Sequence, residues 1–113
     1  MSNNVWVKSG KVMDLLPNAG VTSTTTGDGR YKDSPYTSFQ ATVVGSGAVT
    51  ATVAIDGSND GVYWCSTVLG TITLSGTTSA SDGFVTIAPW KFVRARVTAI
   101  SGTSATVTVL MGV

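Results

Sequence analysis

The chain contains no histidine and no glutamate, and its one cysteine, Cys65, has no second thiol to pair with. Most general acid–base and metal chemistry near neutral pH draws on His, Glu and paired Cys. The six acidic residues are all aspartates, none in a recognisable catalytic pair, so we expect no enzyme, no metal and no cofactor. A lone cysteine forms no intrachain disulfide, which suits cytoplasmic synthesis better than a disulfide-stapled secreted scaffold. Charge is also scarce, at 12% of 113 residues with a formal net charge of +1. A field that weak steers the chain neither to nucleic acid nor to an acidic membrane. No run reaches the ~20 apolar residues needed to span a bilayer, and the opening residues lack the basic and apolar regions of a signal peptide.

In place of these groups stand threonine, valine, serine, glycine and alanine in alternating runs. Val49, Ala51, Val53 and Ile55 alternate with Thr50, Thr52 and Ala54, and Phe39, Ala41 and Val43 alternate just upstream. Period-two alternation of β-branched residues predicts strands, with Gly45-Ser46-Gly47 as a three-residue hairpin loop between them. A second hairpin is predicted around Ser101-Gly102-Thr103, joining Val93, Ala95, Val97 and Ala99 to Ala105, Val107, Val109 and Met111. Val62 to Cys65, Gly70 to Leu74 and Phe84 to Ile87 read as further strands, separated by the turn signal Asp56 to Gly61 and a loop over Ser75 to Gly83. Val5-Trp6-Val7 and Lys11-Val12-Met13 read as short strands, Met13 to Leu16 as at most one helical turn, and Val21 to Pro35 as a long loop or arm. The expected architecture is all-β: a two-sheet antiparallel β-sandwich of jelly-roll or Greek-key type. A single domain is expected, with residues 1–36 as its irregular N-terminal arm and 37–113 as its core.

Three groups of residues are candidates for chemistry. Asp56-Gly57-Ser58-Asn59-Asp60-Gly61 echoes the opening of a calcium loop, but position twelve falls on Thr67 instead of a glutamate, and turn chemistry explains the same residues. Trp64 and Trp90, with Tyr63, Phe84 and Phe92, invite sugar stacking, but no cluster of carboxylates or amides stands near them to bond sugar hydroxyls, and the plugging of a sandwich end explains the same rings. Arg94 and Arg96 share one strand face with Phe92, and Lys91 stands at the strand's start. That combination fits a protein interface, and also a solvated face whose charges resist edge aggregation.

The stretches Ala54-Ile55-Asp56-Gly57-Ser58-Asn59-Asp60-Gly61-Val62-Tyr63-Trp64, Ser81-Asp82-Gly83-Phe84, Ala88-Pro89-Trp90-Lys91-Phe92-Val93-Arg94-Ala95-Arg96-Val97 and Ala105-Thr106-Val107-Thr108-Val109-Leu110-Met111-Gly112 carry a family resemblance. Over roughly its last two-thirds the chain resembles the small capsid decoration or cement ("staple") proteins of short-tailed bacteriophages. The resemblance implies a virion location on the capsid surface, binding to the major capsid protein, self-association as a homodimer or homotrimer, and no catalytic residues. Trp6, Tyr31, Tyr36, Lys91, Phe92, Arg94 and Arg96 are then the expected interface residues, the N-terminal arm ordering on its partner. The alternative is a receptor- or glycan-binding module of a phage tail or fibre.

Overall fold

A computed structural model describes residues 12–17 and 20–113. Its order is β1 (Val12–Asp14), β2 (Thr25–Thr26), β3 (Arg30–Tyr31), β4 (Tyr36–Ser58), β5 (Gly70–Ile87) and β6 (Phe92–Gly112). All pairings are antiparallel and join the strands into one sheet in the order β1-β6-β4-β5, with β2 and β3 also on β6. The all-β, antiparallel expectation holds. In place of two separate sheets there is one hydrogen-bonded sheet of six strands.

The difference lies in what the glycine-rich segments do. Phe39–Val43 and Val49–Ile55, expected as two arms of a hairpin, belong to the single 23-residue strand β4 and do not pair with each other. Ser101-Gly102-Thr103 likewise lies inside β6, and Ser75–Gly83 inside β5. Each long strand carries its irregularity at the same level. The β4 register shifts between Val44 and Ala48 against β5 and between Val44 and Thr50 against β6, and positive φ occurs at Gly47, Thr78, Gly102 and Ser104. A straight 23-residue strand would extend roughly 70 Å, whereas the longest dimension of the molecule is 42 Å. The strands therefore bend together along a crease, and the pairing carries on through it.

Bending brings the apolar stripes of both halves into one core. Phe39, Ala41 and Val43 from one side of the crease join Val49, Ala51, Val53 and Ile55 from the other, with Ile72, Leu74, Val93, Ala95, Val97, Val107, Val109 and Met111. Alternation locates these buried faces well, with one exception. Between Thr52 and Val53 the β6 partner jumps from Ala99 to Val97, so Thr98 is an extra residue. This bulge turns Ala99 outward, against the expectation that it continues the inward stripe.

The region from Val21 to Pro35 also departs from the free arm expected of it. Val21 bridges Val107, Thr25 and Thr26 pair with Val97 and Arg96, and Arg30 and Tyr31 pair with Val93 and Phe92. The segment thus covers the outer edge of β6 within the same chain. Leu15 and Leu16, read as part of a helical turn, instead bury in the core, the Leu15 amide donating to the Val109 carbonyl. Val5-Trp6-Val7 and Lys11 lie outside the described residues. No helix of the described residues is long and apolar enough to cross a membrane.

Gly102 illustrates why the crease needs small residues. Its φ is +128°, and a Cβ there would sit 2.8 Å from the Ala48 carbonyl oxygen and 2.9 Å from Val49 Cγ1. At Gly47, φ is +73° but the space is open. Gly102→Ala is therefore expected to cost about 2–3 kcal/mol and Gly47→Ala about 1 kcal/mol, compared by urea denaturation. Equal losses would show that the tight approach at Gly102 is absent.

Candidate functional site

At the end of the sheet away from Gly112, β4 is covered on both faces: Ala54, Ile55, Asp56, Gly57 and Ser58 are all buried. Asp56, expected to open a turn, is instead a strand residue with 1% of its surface exposed. The register sets it opposite Arg94 and sets Ala54 opposite Arg96. Arg94 Nε donates to Asp56 Oδ2 at 3.0 Å, while Arg96 grips the carboxylate with two atoms, Nε to Oδ2 at 2.7 Å and Nη2 to Oδ1 at 3.1 Å. A buried carboxylate without partners would be very costly, and two guanidiniums satisfy it. The bond to Asp56 raises the Arg96 pKa above its ordinary value. Two cations on one anion leave one positive charge in excess, carried by side chains that are partly exposed.

Aromatic rings frame this charge. The Arg94 guanidinium lies 4.5 Å from the centre of the Trp64 ring, within cation–π range. Gly29 also packs close to Trp64, where a Cβ would come within 2.8 Å of the indole. Along the same face Phe92 meets Tyr31 edge-on, with ring centres 5.5 Å apart. The Asp33 carboxylate, hydrogen-bonded to the Tyr31 hydroxyl, raises the tyrosine pKa. Beside Arg96, a polar recess of about 170 Å³ is lined by Thr24, Thr25, Thr26, Val97 and Thr98.

The loop that carries Trp64 is a self-contained turn, not the strand expected over Val62 to Cys65. Ser58 Oγ donates to the Tyr63 carbonyl and accepts from the amides of Asp60 and Gly61, and Asp60 Oδ1 accepts from the amides of Val62 and Tyr63. Those two amides hold the Asp60 carboxyl below its ordinary pKa. The oxygens that echoed a calcium loop are thus divided between two tasks: Asp56 holds the arginines, and Ser58 and Asp60 hold the turn. Asn59 Oδ1 accepts from the Lys91 amide and ties the loop to the start of β6. Trp90 packs over Gly57, where any Cβ would meet the indole at 2.6 Å.

Of the expected interface residues, Tyr31, Phe92, Arg94 and Arg96 share one face, with Lys91 at its margin. Tyr36 does not join them; it pairs with Ile87 in a separate patch at the β4–β5 edge. Trp6 lies outside the described residues. Sequence reasoning did not single out the buried carboxylate at Asp56, because an Asp followed by Gly-Ser-Asn-Asp-Gly carries every mark of a turn. It also passed over Lys32. That side chain is buried and its Nζ donates to the carbonyls of Ser34 and Ala88. Burial, and then the charge of Lys91, lower its pKa. Nothing in the sequence around Lys32 marks a lysine for the interior.

Asp56→Ala leaves two arginines facing each other across an empty site and is expected to cost about 3 kcal/mol. Replacing all three charges, with Asp56→Ala, Arg94→Met and Arg96→Met together, should recover part of that loss. Urea denaturation followed by tryptophan fluorescence reads both effects, and an unchanged midpoint in Asp56→Ala would contradict the arrangement.

No protein-family model matches the chain, and no match is found among curated proteins or among solved structures.

Proposed function

We propose that this chain is a virion structural protein that binds the outer surface of an assembled phage capsid and cements or decorates it. The observation that carries this reading is a convergence: residues 54–64 and 88–97, far apart in sequence and both bearing the family resemblance, meet at the Asp56–Arg94–Arg96–Trp64 cluster. Arginine and aromatic side chains are the groups enriched where proteins dock. Here they are fixed in advance by a buried carboxylate, so little side-chain entropy is lost on binding. One unneutralised positive charge suits a carboxylate-bearing partner surface. In this reading the two halves of the creased sheet serve as the two layers of a jelly-roll or Greek-key sandwich, and the many copies on a shell make weak individual contacts sufficient through avidity.

The alternative of a glycan-binding module of a tail or fibre draws less support from the geometry. Of the three rings it would use, Trp64 is engaged by Arg94 and Trp90 by Gly57, while Tyr63 alone stands exposed. The two readings separate in one experiment, co-sedimentation of the purified protein with undecorated phage capsids. Saturation at a fixed number of copies per shell, weakened about tenfold by Arg94→Gln, is the expected result. Protein that stays in the supernatant at every shell concentration would overturn the proposal.

A further inference from the structure

The two edges of the sheet are treated differently. The outer edge of β6 is covered by β1, the Val21 bridge, β2 and β3, whereas β5 has no strand on its other side among the described residues. Edge strands are ordinarily guarded by lysine, proline or an inward charge. The 18 residues of β5 contain one charged residue, Asp82, and no proline.

The hydrogen-bond parity of this edge can be read. The Ala88 amide donates to the Pro35 carbonyl at 2.7 Å, and Thr37 pairs with Thr86. Ala88 and Thr86 therefore direct their main-chain groups toward β4, and Val85 and Ile87 direct theirs away from the sheet. The open stretch has a stop at each end. On one side the Gly83 amide is occupied by its neighbour, bonding Asp82 Oδ1 at 2.8 Å; on the other Pro89 has no amide. Gly83 and Pro89 lie three residues to either side of Thr86. What remains between them is two donors and two acceptors, from Val85 and Ile87, placed symmetrically about Thr86. The side chains there are apolar and open to solvent: Val85 is 80% exposed, Ile87 69% and the adjoining Tyr36 68%. They line an open apolar groove of about 650 Å³ with Ser38 and Gly112.

We propose that a second copy of this chain pairs with this edge, β5 against β5, about a two-fold axis at Thr86. In that register Val85 of each copy exchanges main-chain hydrogen bonds with Ile87 of the other, which uses all four outward groups. The same two side chains become cross-strand neighbours and carry the Tyr36 patch across the axis. Asp82 falls level with Trp90 of the second copy, so no like charges meet. A two-fold interface is self-complementary by construction, as this symmetric set of donors, acceptors and stops requires. The contact is small compared with a standard protein interface, so the dimer is weak and concentration-dependent. This inference gives a surface and a symmetry to the self-association expected of a shell-binding protein, but it does not depend on shell binding.

The test uses purified full-length protein without capsids, so its failure leaves the capsid reading standing. Sedimentation equilibrium from about 1 µM to about 1 mM should show a monomer–dimer equilibrium. Val85→Pro removes an outward amide while leaving the β4 ladder intact, and should weaken dimerisation by about tenfold or more. In a Cys65→Ser background, Thr86→Cys should cross-link to a disulfide dimer under mild oxidation. At the axis the two residues form a non-hydrogen-bonded pair with Cα atoms about 4.5 Å apart, within disulfide range. A monomer across the whole range, a dimer indifferent to Val85→Pro, or a dimer that resists cross-linking at Thr86→Cys would each overturn the proposal. The cysteine variant decides the matter even if the proline variant does not fold.

Discussion

Three strands of 23, 18 and 21 residues share one sheet in a molecule 42 Å long, and they fit only because all three bend at one level. The rest of the structure depends on that crease. Without it the inward stripes at Phe39–Val43 and Val49–Ile55 would lie on one long open face, each half needing some other surface to cover it. With it, the chain covers its own apolar face and forms a single core. Small residues and positive φ at Gly47, Thr78, Gly102 and Ser104 make the bend possible at modest local strain. The long-range β4 pairings that run through it supply the main-chain hydrogen bonds a loop would otherwise lack.

The same geometry places the polar features. Beyond the crease β4 runs one residue past its last β5 partner, so that Asp56 pairs with β6 alone and is still buried, which is why its carboxylate must be met from within the protein. Arg94 and Arg96 do this from the adjacent strand, and in doing so they become fixed donors at the surface. The N-terminal segment, laid along β6, brings Gly29 close to Trp64 and Tyr31 against Phe92. One region is therefore mildly cationic and aromatic, while the opposite edge at β5 is uncharged between Gly83 and Pro89 and, among the described residues, unpaired. A binding role fits the first, and self-pairing fits the second.

Much of the fold was legible in the sequence, because period-two alternation reports which side chains face inward whatever the topology. Phe39, Ala41, Val43, Val93, Ala95 and Val97 all bury as their spacing predicts. What alternation does not report is which strand lies beside which. Gly45-Ser46-Gly47 and Ser101-Gly102-Thr103 have the composition of a reversal and of a bend alike, and only long-range pairing chooses between them. The bulge at Thr98 is similarly silent, and it turns Ala99 outward before the crease restores the expected faces from Ala105 onward. At the site, Arg94, Arg96 and Phe92 were found by parity, whereas their counter-ion was hidden within a turn-like run. Lys32 was invisible because its partners are main-chain carbonyls, which no side-chain pattern encodes.

The creased single sheet is tested most directly by cross-strand Hα–Hα contacts in solution NMR. Continuous strands require contacts between β4 and β6 on both sides of the crease, joining the neighbourhood of Val43 to Val107 and that of Ile55 to Ala95, with none between the Phe39–Val43 and Val49–Ile55 segments. A ladder linking those two β4 segments to each other would mean a hairpin at Gly45–Gly47, and it would contradict the sheet, the placement of Asp56 and the open β5 edge together.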